Sequence, residues 1–74
     1  MVEGIKEILA DVLELPNEKI DEATTMENVD TWDSLRHMEI MLAIEGKFGI
    51  QFEPDELVDM TTYCEIVKLV SQKV

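Results

Sequence analysis

The sequence WDSLRHMEIMLAIEGKF, residues 32–48, decides the fold. Asp33 and Ser34 are residue types preferred at the N-terminus of a helix. Apolar side chains then recur at roughly helical spacing at Leu35, Met38, Met41, Leu42, Ile44 and Phe48. The stretch therefore predicts a helix over residues 34–48. Ile40 and Ala43 add apolar surface outside this stripe, and we expect part of that surface to meet a partner.

The residues before this stretch predict a first helix and a long loop. Over residues 2–14, one face is apolar, with Ile5, Ile8, Leu9, Val12 and Leu13. Pro16 disfavours helical geometry at Leu15 and ends the helix. Residues 16–33 show no sustained period, and we expect a loop anchored by apolar residues at Ile20, Ala23, Met26 and Val29.

The residues after it predict two further helices. Pro54 suits the first position of a short third helix that ends near Met60. Thr62 and Glu65 fit a capping box, in which each side chain bonds the backbone N–H of the other residue, ahead of a fourth helix that ends at about Gln72. The pattern predicts one all-α domain over residues 1–74, a four-helix bundle with a long loop between helices 1 and 2 and a short helix 3.

Composition excludes several classes of function. The 74 residues include 17 acidic and 6 basic side chains, a net charge of −11, which excludes nucleic acids and anionic membranes as partners and favours a monomer by repulsion. So short a chain is too small to enclose a substrate, so we expect no catalytic activity of its own. With a single cysteine and no apolar run of membrane-spanning length, we expect a cytoplasmic protein without a disulfide or membrane insertion.

Trp32-Asp33-Ser34-Leu35, with Met38-Glu39-Ile40 and Phe48-Gly49-Ile50, resembles the acyl carrier protein family over nearly the whole chain. The resemblance implies that Ser34 is esterified by a 4′-phosphopantetheine arm from coenzyme A, whose thiol holds acyl groups as thioesters. It implies as partners a phosphopantetheinyl transferase and acyl-loading, ketosynthase-type and acyltransferase enzymes of fatty-acid, polyketide or specialised lipid and metabolite biosynthesis.

Physical reasoning about Ser34 and its neighbours supports an attachment site. A hydroxyl at a helix N-terminus lies beside unpaired backbone N–H groups and the positive end of the helix dipole, which favour a phosphodiester. The alternative is that Ser34 only caps the helix. Asp33 either caps the helix or, as the resemblance implies, helps the modifying enzyme hold Mg²⁺ and the coenzyme A pyrophosphate. Leu35 is expected to be a core residue and, by the resemblance, part of the recognition motif.

The resemblance also implies partner and cargo contacts. Glu39 and Glu45 match acidic positions of the family's second helix, whereas Arg36 and His37 stand where many fatty-acid carriers have an acidic or small polar pair. We expect these four residues to tune partner choice, in a dedicated pathway. Family cargo can enter between helices 2, 3 and 4, where the candidate lining residues are Leu42, Ile44, Met60, Tyr63 and Ile66; simple core packing explains them equally well.

The remaining residues suggest structural roles. We expect Trp32 to pack the loop against the bundle, the methionines, among them Met38, to fill the core, and Cys64 to be buried. One histidine and one cysteine do not make a metal site, and a histidine three residues after Ser34 does not make a catalytic dyad without an oxyanion hole. Divalent cations held loosely by Glu53, Asp55, Glu56 and Asp59 are predicted to stabilise the fold.

Two alternative functions remain open from the sequence. An aminoacyl or peptidyl carrier protein would keep the arm and change the cargo, although such carriers more often have a Gly-Gly-(His/Asp)-Ser type motif. An unmodified helical interaction domain would use its surface to bind proteins. Attachment of the arm to Ser34 separates the two carriers from the interaction domain.

Overall fold

The computed structural model describes residues 2–74, which form four α-helices and one short 3₁₀ helix, Asn17–Lys19, within the long loop. The α-helices are α1 (Val2–Leu13), α2 (Ser34–Phe48), α3 (Pro54–Asp59) and α4 (Tyr63–Lys73). No β-strand occurs in residues 2–74, where one isolated antiparallel bridge joins Thr25 to Thr62. The predicted all-α four-helix architecture, with its long first loop and short α3, is confirmed.

The core forms between α1, α2 and α4. In α1, the spacing of the apolar residues places Ile5, Leu9 and Leu13 on one face, and all three are 0% exposed. The other fully buried side chains come from the long loop, α2 and α4: Ile20, Ile40, Met41, Ile44, Ile66 and Val70.

The buried face of α2 differs from the predicted stripe. Its buried residues are His37, Ile40, Met41 and Ile44. The expectations that Leu35 and Met38 belong to the core are therefore wrong, because Leu35 is 70% and Met38 is 43% exposed. Apolar residues occupy two faces of this helix. Packing against the rest of the bundle decided which face is buried, and that face includes His37.

The long loop is anchored to the bundle at several points. Ile20 and Trp32 are 1% and 2% exposed, which confirms Trp32 as a packing residue, and Met26 and Val29 pack partly against the core. Ala23 is exposed, so its predicted anchoring role is wrong. Backbone bonds from Met26 N–H to the Thr61 carbonyl (2.8 Å) and from Tyr63 N–H to the Thr24 carbonyl (3.0 Å) tie the loop to the start of α4.

The helix ends follow the capping signals with two differences. Glu14 adopts a left-handed conformation (φ 58°), so α1 ends one residue earlier than predicted. At α4, Thr62 Oγ1 accepts the Glu65 N–H (3.0 Å), but Glu65 Oε1 accepts from the Thr62 hydroxyl (3.2 Å) instead of its backbone N–H.

Candidate functional site

Ser34 is the first residue of α2, and its side chain is exposed to solvent. The preceding residue, Asp33, has extended backbone and caps the helix, its Oδ1 accepting the Arg36 N–H at 2.9 Å. The Ser34 hydroxyl makes no hydrogen bond within residues 2–74. The interpretation of Ser34 as only a helix cap is therefore wrong, since Asp33 has that role.

The electrostatics at this position suit an anion. The backbone N–H groups of Ser34 and Leu35 find no acceptor within the described part of the chain, because helix geometry leaves the first amides unbonded. The positive end of the α2 dipole lies at the same place. An exposed hydroxyl beside two free N–H donors fits a phosphodiester, so the residues present fit a phosphopantetheine arm.

Arg36 and Thr31 attach the start of α2 to the end of α1. Arg36 Nη1 donates to the Val12 carbonyl and to Glu14 Oε2, both at 2.9 Å, and Thr31 Oγ1 donates to the Leu13 carbonyl at 2.8 Å. These carbonyls belong to the last turn of α1, which has no helical donors for them. The hydrogen bond that Arg36 donates to the Glu14 carboxylate raises the pKa of Arg36 above its usual value. The guanidinium thus orients the turn that carries Ser34. The role of Arg36 in partner choice stays a prediction.

His37 lies inside the protein, not on its surface. It is 7% exposed; its Nδ1 accepts the Trp32 Nε1–H at 3.1 Å and its Nε2 bonds the Leu57 carbonyl at 2.7 Å. The indole can only donate and the carbonyl can only accept, so the ring is neutral with its hydrogen on Nε2. The prediction of His37 as a partner-recognition residue is wrong, because the packing of the loop and α3 covers it.

An apolar groove of about 300 Å³ lies beside Ser34. We call it the serine groove; the loop, α2, α3 and the α3–α4 connection line it with Met26, Ser34, His37, Met38, Leu57, Val58 and Thr61. None of the five predicted cargo-lining residues borders it. Leu42 is 63% exposed, so the prediction that it lines an interior cavity is wrong. The other four are buried: Ile44, Met60, Tyr63 and Ile66.

The other predicted residues fall in different places. Glu39 is exposed, as a partner contact requires. Glu45 is half-buried, and its Oε2 accepts the Phe52 N–H at 2.8 Å, so it holds the connection between α2 and α3. Cys64 is exposed, and its prediction as a buried residue is wrong, since it lies on the outer face of α4.

No group of three or more metal-ligating side chains within residues 2–74 lies close enough to hold an ion. In the predicted cation cluster, Glu56 Oε1 pairs with Lys73 Nζ at 3.0 Å and accepts the Glu53 N–H at 2.7 Å. Stabilisation by divalent cations stays a prediction. No helix in the described residues is both long and apolar enough to cross a membrane.

Sequence reasoning missed the contact that joins Trp32, His37 and Leu57. The available signal was a tryptophan five residues before the only histidine, which places a ring donor and a ring acceptor on either side of a helix start. The lining role of Met26, Leu57, Val58 and Thr61 was also missed, since these residues come together only when the loop and α3 pack against α2.

A free serine hydroxyl at the start of the second helix of a four-helix bundle, beside an apolar groove, is the arrangement expected of a carrier domain with a covalent arm. The family model described as phosphopantetheine attachment site matches residues 3–70. The chain is 31% identical over 74 residues to an acyl carrier protein of Petrotoga mobilis (99% of this chain, 86% of the relative). It is 33% identical over 72 residues to polyketide-8 synthase acyl carrier protein 2 of Streptomyces avermitilis (96% and 82%). The chain belongs to the phosphopantetheine-attachment family, that of the acyl carrier proteins.

A further relative agrees with this assignment. An acyl carrier protein of Thermosynechococcus vestitus is 31% identical over 75 residues, covering 100% of this chain and 91% of the relative. The predicted family, the 4′-phosphopantetheine cofactor and the acyl carrier function are therefore confirmed. Neither the aminoacyl carrier nor the unmodified interaction domain is favoured. Acyl carrier proteins work with biosynthetic enzymes, and this chain belongs to that class.

Proposed function

We propose that Ser34 carries the 4′-phosphopantetheine arm and that the domain presents acyl groups on it to biosynthetic enzymes without a catalytic step of its own. The observation that carries this proposal is the exposed, unbonded hydroxyl at the start of α2. The only other serine, Ser71, donates its hydroxyl hydrogen to the Val67 carbonyl at 2.7 Å within α4. Ser34 is thus the serine whose hydroxyl is available.

The residues around Ser34 have distinct roles in holding the arm. The N–H groups of Ser34 and Leu35 and the α2 dipole stabilise the phosphodiester charge. Asp33 caps the helix through Arg36 N–H and leaves its other carboxylate oxygen for Mg²⁺ in the modifying enzyme. When attached, the arm supplies a terminal thiol that holds the acyl group.

The exposed face of α2 is the proposed docking surface for partners. Leu35, Met38 and Leu42 follow one another at helical spacing from Ser34 and are 70%, 43% and 63% exposed. Glu39 lies exposed among them. An apolar patch with an acidic side chain suits enzymes that present apolar pockets rimmed by basic residues, the transferase and the acyl-loading, ketosynthase-type and acyltransferase enzymes. With a charge of −11, self-association is disfavoured, and the monomeric state and the cytoplasmic location remain predictions.

The two hydrogen bonds of His37 support a carrier role without a catalytic step. Both of its ring nitrogens are occupied, by Trp32 and by Leu57, so the ring has no free nitrogen to activate the Ser34 hydroxyl. Chemistry on the cargo then belongs to the partner enzyme.

The test is intact mass after incubation with coenzyme A and a phosphopantetheinyl transferase. We expect the wild-type chain and the control Ser71→Ala to gain the mass of one arm, and Ser34→Ala to gain none. Circular dichroism of each variant shows that it is folded. A folded Ser34→Ala chain that still gains the arm, or a folded wild-type chain that gains none, would contradict the proposal.

A further inference from the structure

His37 forms the floor of the serine groove. Among the residues that line the groove it alone is buried, at 7% exposure, whereas Ser34, Met38 and Val58 at the rim are exposed. Its ring spans the space between α2, to which it belongs, and α3, whose Leu57 carbonyl it bonds at 2.7 Å. Any group that enters the protein from the groove meets this ring first.

The bond to Leu57 closes the end of α3 onto α2. The Leu57 carbonyl lies in the last turn of α3, where helical donors run out. The amide that a longer helix would direct to it, that of Thr61, donates instead to the Asp59 carbonyl at 3.0 Å. His37 therefore supplies the bond that satisfies this carbonyl and joins the two helices at the groove.

The core lies directly behind the ring. On one side the ring lies beside Trp32, with the centroids 6.0 Å apart and the planes at 29°. Along α2 the same face continues with Ile40 and Ile44, both 0% exposed. A chain passing from the groove to these residues has to displace His37, which breaks two hydrogen bonds and leaves the buried Trp32 N–H and the partly buried Leu57 carbonyl unpaired.

We propose that His37 is a specificity-determining residue that keeps acyl cargo out of the helical core and confines it to the serine groove. The inference rests on the proposed attachment at Ser34. The groove, of about 300 Å³, is at the small end of ligand sites, and it is the space that remains for the near part of the arm and its cargo when His37 is in place. Methylenes that extend beyond the groove remain in water, which is unfavourable, so the longest acyl groups are held least well.

The experiment compares chains loaded with acetyl and with octanoyl groups, transferred on the arm from the corresponding acyl-coenzyme A. Methyl NMR signals of Ile40 and Ile44 report on the core, and those of Met26 and Met38 report on the groove. In the wild type, we expect the isoleucine signals to be the same with both cargoes. In His37→Val, which removes both hydrogen bonds and shortens the side chain that joins α2 to α3, we expect octanoyl to shift the isoleucine signals and to raise the melting temperature above that of the acetyl form.

A second variant serves as the matched control. His37→Gln keeps a donor and an acceptor on a side chain of similar length, and we expect it to exclude octanoyl like the wild type. Octanoyl-dependent shifts at Ile40 and Ile44 in the wild type, or their absence in a folded, loaded His37→Val chain, would overturn the inference. Should His37→Val not fold, the wild-type comparison decides. Mass spectrometry separates the two proposals: a chain that takes no arm contradicts the proposed function, whereas a loaded chain that admits octanoyl contradicts only this inference.

Discussion

Arg36, in the first turn of α2, donates a hydrogen bond from Nη1 to the carbonyl oxygen of Val12 in α1 at 2.9 Å. The same nitrogen contacts Glu14 Oε2 at 2.9 Å, beside a backbone turned left-handed at Glu14. The two ends of the long loop are thereby joined by a side chain of α2, beside the bond from Thr31 of the loop to the Leu13 carbonyl. The turn that carries Ser34 is held against α1 by this contact.

Arg36→Met is expected to lower the melting temperature, because the Val12 carbonyl loses its side-chain donor and Glu14 its ion partner. Lys68→Met is the matched control: it also changes the net charge from −11 to −12, and Lys68 is exposed with no ion pair in residues 2–74. The melting temperature of Glu14→Gln should lie between those of the two variants, since this substitution keeps the bond from Arg36 to the Val12 carbonyl. Thermal melts at one ionic strength check this, and equal melting temperatures for the Arg36 and Lys68 variants would contradict it.

His37→Ala is expected to reduce the free energy of unfolding by about 2–4 kcal/mol, because the buried Trp32 N–H and the partly buried Leu57 carbonyl lose their partner. A double-mutant cycle with Trp32→Phe isolates the bond between the two rings, with an expected coupling of about 0.5–3 kcal/mol. Urea denaturation followed by far-UV circular dichroism measures all four chains. Additive effects of the two substitutions would show that the rings are not coupled.

Glu56 is expected to contribute a pH-dependent part of the stability. Its bond from the Glu53 N–H, and then its pairing with Lys73, lower the pKa of Glu56 below the ordinary 4.5. Since the folded pKa is lower than the unfolded one, the contribution is present above 4.5 and is lost as pH falls through the folded value. The stability difference between the wild type and Glu56→Gln should therefore shrink as pH falls below 4.5.

Denaturation of both chains at several pH values tests this dependence. Glu27→Gln is the matched control, since it removes the same charge from an exposed loop residue that makes no side-chain bond in the described chain. A difference between wild type and Glu56→Gln that stays constant with pH would contradict the assignment.

Leu42→Ser is expected to slow modification by the transferase without unfolding the chain. Leu42 is 63% exposed on the proposed docking face, so its loss should change stability by less than about 0.5 kcal/mol. The control Val74→Ser removes an apolar side chain of similar exposure, 61%, at the C-terminal end of the chain. The measurement is kcat/KM for arm transfer; a value for Leu42→Ser equal to that of the control would remove this face from the docking surface.

Local signals in the sequence predicted most helix boundaries. Asp33 before the apolar run predicted the start of α2, and Pro54 predicted the start of α3, because caps and proline act through neighbouring backbone groups. The capping box expected at Thr62 formed only in part, because Glu65 accepts from the Thr62 hydroxyl and not from its backbone N–H. At α3, by contrast, the Glu56 side chain does accept the backbone N–H of the cap residue, Glu53. A glutamate at the cap position was not a recognisable signal.

The phase of α2 could not be predicted from its composition. Leu35 and Leu42 are as apolar as Ile40 and Ile44, yet the first two are exposed and the others are 0% exposed. His37 was predicted on the surface, as a partner contact, from its position just after the serine-leucine step of the family's second helix. It is buried since Trp32 and Leu57, from the loop and from α3, supply the two partners it needs.

By itself, the sequence determined the helical architecture, the acidic surface and the serine at the start of α2, because these depend on local periodicity, capping and charge count. Only the tertiary structure decided which face of α2 is buried, that Arg36 donates to a carbonyl at the end of α1, and that His37 forms the floor of the serine groove. Those properties depend on partners 20 to 24 residues away along the chain, whose positions no local pattern specifies.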